Sequence, residues 1–259
     1  MEIVVVIKFV PDLVEDLTID PVTHLLDRSF LRLLPNELDE HALEEALLLK
    51  EKHGGRVTVL TIDTGDVDET LFTAVAKGAD RVIKITGEGF DQGVSNRRLA
   101  EIFQHALADV PFDLLLTGTQ AVDDLDGFVG ALLAERLGLP YVGYVTRVAA
   151  ADGKLVARKE YPGGLNADIT VSLPAVLGIQ AAEKPPRYVV TSRVMEAMKK
   201  ATIDEAKAGE AGEEPGVTVS RMSLPETGEH AEMISGGAAE VAAALVKLLR
   251  ERGVVTQAR

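Results

Sequence analysis

The stretch that decides the fold covers residues 113–139 and reads DLLLTGTQAVDDLDGFVGALLAERLGL. An apolar run is followed by a turn, a group of acids and a segment with apolar residues at helical spacing, namely Val129, Leu132, Leu133 and Leu137. The pattern predicts a strand, a loop and a helix. In a parallel α/β sheet this junction lies at the carboxyl end of the strand, where ligands commonly bind. The same acids are also consistent with simple capping of the helix.

The segments before this stretch alternate in the same way. Apolar runs at residues 3–7, 56–62 and 81–85 predict strands, and residues 37–53, 68–77 and 96–107 predict helices. Asn36 is the predicted N-cap of the first helix. Alternating strands and helices with short loops predict an α/β fold with a doubly wound parallel sheet.

The pattern changes after residue 140. Short β-rich segments at 144–149, 154–160, 167–172 and 175–180 predict antiparallel strands added to the sheet. Residues 204–232 lack a regular apolar period and predict an extended arm, and residues 238–252 predict an amphipathic helix. We therefore divide the chain into an α/β domain, residues 1–200, and a C-terminal arm and helix, residues 201–259. These additions favour a chain that binds around a partner.

Composition limits the classes of function. The net charge of -14 argues against a sequence-independent nucleic-acid binder. The chain has no cysteine, and its 5 histidines form no pair at ligand spacing, so we expect no metal site and no catalytic thiolate. No apolar run reaches the roughly 18 residues of a membrane span, so we expect a cytoplasmic protein. The residues form no group typical of a catalytic site, so we expect the chain not to be an enzyme.

An ordered set of short motifs resembles the beta subunit of electron transfer flavoproteins. The set covers residues 3 to about 200. Its members are Ile7-Lys8-x-Val10-Pro11-Asp12, Asn36 with residues 42–51, Lys77-Gly78-Ala79-Asp80-Arg81, Gly118-x-Gln120-Ala121-x-Asp123-Asp124, Gly163-Gly164-Leu165, Leu173-Pro174-Ala175-Val176 and Pro186-Arg187-Tyr188.

The resemblance implies an adenine-nucleotide hydrolase-like fold and an electron carrier subunit. The partner it implies is an alpha subunit, which holds FAD, and the heterodimer accepts electrons from a flavin dehydrogenase. The beta subunit of ordinary members also holds AMP. The residues that the resemblance assigns to the nucleotide are Val6, Asn36, Ile62, Asp63, Thr64, Asp123, Gly127, Phe128, Val129 and Gly130.

The family places a partner-docking loop after the Pro-Arg-Tyr motif, here at residues 188–195. Ordinary members often have a leucine anchor where this chain has Thr191. Either Val190, Val194 or Met195 is the apolar substitute, or the chain docks a different dehydrogenase.

Two alternatives to this function stay open. One is an electron-bifurcating subunit that binds a second FAD of its own in place of AMP. The other is a free-standing adenine-nucleotide-binding module without an alpha subunit.

Overall fold

The computed structural model describes residues 1–125, 127–151, 154–210, 217–225, 228 and 231–254. Asp126 of the stretch quoted above and parts of the predicted arm lie outside the described residues. The strands are β1 (Glu2–Val6), β2 (Phe9–Pro11), β3 (Leu33–Pro35), β4 (Arg56–Ile62), β5 (Arg81–Thr86), β6 (Leu114–Gly118), β7 (Tyr141–Ala151), β8 (Lys154–Tyr161), β9 (Leu165–Val171), β10 (Ala175–Ile179) and β11 (Asp204–Lys207). The helices are α1 (Glu37–His53), α2 (Asp68–Lys77), α3 (Asn96–Leu107), α4 (Val129–Leu137), α5 (Thr191–Lys200) and α6 (Ala238–Glu251).

Nine strands form one sheet in the order β11-β5-β4-β1-β6-β10-β7-β8-β9. All neighbours from β11 to β7 are parallel, and β7, β8 and β9 pair antiparallel. A separate antiparallel pair joins β2 to β3. The predicted doubly wound α/β fold is confirmed.

Alternate residues of β1 serve two cores, one on each face of the sheet. Ile3 and Val5 pack with apolar residues of α1 and α2, whereas Val4 and Val6 pack with those of α3 and α4. Strands covered on both faces read as continuous apolar runs, which explains the sequence of β1.

The prediction for residues 175–180 is wrong in one respect. This segment forms β10, which is parallel and lies between β6 and β7 in the interior of the sheet. All five of its residues are buried, as expected for a strand covered on both faces. The antiparallel prediction holds for β7, β8 and β9.

The residues form two compact units, Met1–Met222 and Ser223–Arg259. The first unit includes β11, which pairs with β5 although its residues lie in the segment predicted as an extended arm. The second unit contains α6, as the periodicity predicts, and none of the helix residues is buried. Across the described part of the chain, every helix is too short or too polar to cross a membrane.

Candidate functional site

The carboxyl ends of β1 and β6 lie side by side at the centre of the sheet. β1 pairs with β4 on one side and with β6 on the other, and the helices that follow β1 and β6 lie on opposite faces. This is the topological switch point, where ligands of open α/β sheets bind. We define the corner as Lys8, Asn36, Asp39 and residues 118–125 and 127–130.

Lys8 follows β1 by two residues, and its amine lies inside the corner. Its Nζ lies 2.6 Å from Asp123 Oδ1 and 3.0 Å from Asp124 Oδ1, and it donates a hydrogen bond of 2.8 Å to Asn96 Oδ1. The residue is only 7% exposed. Two of these contacts, to Asn96 and Asp124, are hydrogen bonds, and the contact with Asp123 is an ion pair. We call these four residues the Lys8 network.

The Asp124 side chain accepts three hydrogen bonds in this network. Its carboxylate accepts hydrogen bonds from Lys8 Nζ, from Asn96 Nδ2 at 2.7 Å and from the Ala121 amide at 2.7 Å. Asn96, the first residue of α3, also donates to the Gly127 carbonyl at 2.7 Å. The network therefore connects the end of β1, the start of α3 and both ends of the β6–α4 loop.

Asp39 lies in the first turn of α1 but points into the protein. Its carboxylate accepts hydrogen bonds from the Lys8 amide at 2.8 Å and from the Gly118 amide. Lys8 lies just after β1, and Gly118 is the last residue of β6. Burial raises the pKa of Asp39 to about 7, although the two backbone amides and Asn36 act in the opposite direction. The carboxylate thus joins the ends of the two central strands.

Asn36 occupies the predicted N-cap position, but its side chain does not cap α1. The Nδ2 group instead donates to the Gln120 carbonyl at 3.0 Å. A Cβ atom on Gly118 would lie 2.9 Å from Asn36 Nδ2 and 2.8 Å from Asp39 Oδ1. Glycine is therefore required at position 118 for the close approach of α1.

The start of α4 supplies four of the predicted nucleotide residues. Val129 is buried in the core beneath the sheet, and Phe128 holds the N-cap position without a side-chain cap bond. A Cβ on Gly130 would fall against Thr117 Oγ1, so this glycine permits close packing of α4 on β6. Gly127 has a φ of 122°, a conformation that favours glycine. The backbone conformation at Gly127 and the helix packing at Gly130 therefore explain both glycines without a nucleotide.

The cavity enclosed by the corner has a volume of only about 10 Å³. Val6, Asn36 and Val129 of the predicted set line it, together with Lys8, Asp39 and Asp124. This volume accommodates about one water molecule, whereas small-molecule sites are typically of 300 Å³ or more. The residues as arranged here do not fit an adenine mononucleotide.

The structure separates the predicted residues at the end of β4 from this cavity. Ile62 is buried, and the Asp63 amide donates to the Ile85 carbonyl at 2.8 Å. Thr64 lines a different cavity of about 460 Å³, which lies between the β2–β3 pair and α2. A third, open cavity of about 830 Å³ lies around Gly93 and the carboxyl ends of β5 and β11.

The predicted docking residues lie at the start of a helix, not in a loop. Thr191 is the first residue of α5, and Met195 is exposed on its surface. Val194 is only 8% exposed and lies on the buried face of α5. Val190 and Met195 are about half exposed, whereas Val194 is buried, and a docking role for these residues stays a prediction.

Three further carboxylates of α1 fix the segment that leads into α5. The Arg187 guanidinium donates to both oxygens of the buried Glu44 and to Glu51, which raises the pKa of Arg187. Glu45 accepts from the amides of Val148 and Glu183, and burial raises its pKa. One helix therefore positions both the corner and the segment before α5.

Several residues of the site do not follow from the sequence patterns. Asp39 resembles any acid in a first helical turn, and nothing in its periodicity shows that it points inward. Asn96 resembles an ordinary helix-start residue. Lys8 resembles a solvated lysine at the end of a strand, and the sequence does not show that its amine meets the acids of the β6–α4 loop. Within the described residues, no group of His, Asp or Glu side chains is placed to hold a metal ion.

Comparisons of the sequence with known proteins identify the family of the chain. The family model described as "Electron transfer flavoprotein domain" matches residues 28–211. The electron transfer flavoprotein subunit beta of Thermoanaerobacterium thermosaccharolyticum is 32% identical over 98% of this chain and 100% of its own length. That of Bacillus subtilis is 32% identical, over 85% of this chain and 87% of its own. The caffeyl-CoA reductase-Etf complex subunit CarD of Acetobacterium woodii is 30% identical over 98% of this chain and 100% of its own. The chain belongs to the electron transfer flavoprotein beta-subunit family.

Proposed function

We propose that this chain is the beta subunit of a heterodimeric electron transfer flavoprotein. It assembles with an alpha subunit, helps to hold the FAD of that subunit and docks a flavin dehydrogenase. The observation that carries the proposal is the match to a beta subunit over 98% of this chain. The flavin supplies the redox chemistry when bound, and the chain supplies position, charge and contact surface.

The apolar face of α6 supports assembly with an alpha subunit. Leu245, Leu248 and Leu249 recur at helical spacing with Val241, yet each of the three leucines is more than a third exposed. An exposed apolar stripe of this kind is typical of a helix that binds a partner. We assign this stripe to the alpha subunit because α6 has no buried residue of its own.

The exposed residues around the start of α5 support dehydrogenase docking. Tyr188, Val190, Met195 and Met198 are all between about half and fully exposed, and Met side chains suit adaptable contact surfaces. Arg187 fixes the beginning of this surface through Glu44. A docking surface on a positioned segment loses less conformational entropy when the dehydrogenase binds.

The AMP expected from the resemblance stays a prediction. The predicted residues Val6, Asn36 and Val129 meet at the corner, but the cavity there is about 10 Å³. FAD of the alpha subunit does not depend on this cavity. The two expectations are therefore tested separately.

Assembly is tested by co-purifying the chain with a tagged alpha subunit. We expect a 1:1 complex with a flavin spectrum that is bleached by substrate plus flavin dehydrogenase. The double substitution Leu245→Glu and Leu249→Glu adds charge to the α6 stripe and should weaken association at least tenfold. The matched control Ala243→Glu adds a charge on the opposite face, where the residue is exposed, and should leave association unchanged. Equal loss in both variants, or in neither, would remove α6 from the interface.

A second candidate function is a subunit that binds its own FAD. The open cavity of about 830 Å³ around Gly93 favours it, since this volume is large enough for part of a dinucleotide. Two flavins per complex would establish this function, whereas one flavin would support the first. A stable lone chain without affinity for an alpha subunit would instead indicate a free-standing nucleotide-binding module.

A further inference from the structure

We propose that Lys8 is a built-in counter-ion that fills the corner in place of an adenine mononucleotide. The assembled protein then holds FAD through its alpha subunit and no AMP in this chain. This inference rests on the proposed function only for the presence of an alpha subunit. Its support comes from space, from hydrogen bonding and from charge.

Space is the first argument. Val6, Asn36 and Val129 of the predicted nucleotide residues line the corner, and the cavity there is about 10 Å³. The Asn36 amide that would meet the ligand donates to Gln120, and Val129 packs into the core. A mononucleotide would therefore have to displace residues of the β6–α4 loop.

Hydrogen bonding is the second argument. Lys8 Nζ donates hydrogen bonds to Asn96 and Asp124 and lies 2.6 Å from Asp123 Oδ1, so three oxygen atoms of the chain already surround the ammonium group. Asp124 accepts from a lysine, an asparagine and a backbone amide. The Gly127 carbonyl at the start of α4 accepts from Asn96. The loop is thus fixed by groups of the chain itself.

Charge is the third argument. Among the described residues that line the cavity, Lys8 is the one cation, and it is shared by Asp123 and Asp124. The network therefore carries an excess of negative charge, which repels a phosphate dianion in a poorly solvated site. Phe128 and Val129 at the start of α4 offer no polar side chain to offset this repulsion.

The first experiment measures nucleotide content in the purified heterodimer. Denaturation followed by mass spectrometry should release FAD and less than about 0.1 AMP per complex, and calorimetric titration with AMP up to 1 mM should show no saturable binding. About one AMP per complex, or saturable binding of AMP, would overturn the proposal. Flavin reduction by the dehydrogenase, measured on the same preparation, tests the proposed function independently. If no complex forms, the same two assays on the isolated chain still decide the question.

The second experiment tests Lys8 as the counter-ion. In Lys8→Met, amide hydrogen exchange of residues 119–128 should become at least tenfold faster, because Asp123 and Asp124 lose their cation. The effect should fall to less than threefold in an Asp124→Asn background, where fewer carboxylates need neutralising. The matched control is Lys77→Met, since the Lys77 side chain is also 8% exposed and pairs with Glu40 outside the corner. Equal exchange in Lys8→Met and Lys77→Met, or an equal effect in both backgrounds, would refute the counter-ion role.

Discussion

Asp39 provides the sharpest test of how the corner is built. Its carboxylate is buried between the ends of β1 and β6 and accepts hydrogen bonds from the amides of Lys8 and Gly118. Burial raises its pKa from 3.8 to about 7 in the folded protein. Between these two pH values the folded chain holds a proton that the unfolded chain has released. The free energy of unfolding should therefore fall as the pH rises through this window and level off above pH 7.

The size of the effect follows from the two pKa values. One pH unit corresponds to about 1.4 kcal/mol, so the rise from 3.8 to about 7 corresponds to about 4 kcal/mol. In Asp39→Asn this contribution disappears, because an amide does not titrate. The amide also accepts only one of the two backbone hydrogen bonds and leaves one buried donor unpaired, at a cost of about 1–3 kcal/mol at every pH.

The assay is urea unfolding of the wild type and of Asp39→Asn between pH 4.5 and 8, followed by circular dichroism. The difference in unfolding free energy cancels the groups that titrate alike in both proteins. We expect the wild type to be the more stable at pH 4.5 and to lose about 3–4 kcal/mol relative to the variant by pH 8. A difference that is constant with pH, or that grows in favour of the wild type, would refute the raised pKa and its cause.

Two further substitutions test how the chain positions its surfaces. Arg187→Met leaves the buried Glu44 without its cation, which should lower the free energy of unfolding by about 2–3 kcal/mol and slow flavin reduction by the dehydrogenase. The control is Arg56→Met, which removes an exposed ion pair to Glu2 outside residues 188–195, and an equal rate of flavin reduction in both variants would contradict the role of Arg187. Gly130→Ala places a Cβ against Thr117 Oγ1 and should cost about 1–3 kcal/mol in urea unfolding. Adding Thr117→Ala should recover part of this loss, and a double variant no better than the single would argue against the close contact.

The sequence alone was informative wherever a property repeats along the chain. Burial imposes a period on each element, so the sequence correctly predicts the strands β1, β4 and β6 from their apolar runs. It likewise predicts the helices α2, α3 and α6 from their helical spacing. Motif order was equally informative about the family, since short matches in a fixed order specify a chain better than any one of them. The parallel pairing of β10 does not follow from its four apolar residues and one glycine, because pairing partners are set by the path of the whole chain.

Only the tertiary structure shows which residues meet at the corner. Residues 113–139 predicted a strand, a loop and a helix with a candidate ligand site, and the structure contains all three elements. The sequence did not show that Lys8, Asp39 and Asn96, which come from distant parts of the chain, meet at this loop. Hydrogen bonds and ion pairs between distant residues leave no period in the sequence, and only the packing of α1 and α3 on opposite faces of the sheet brings these groups together.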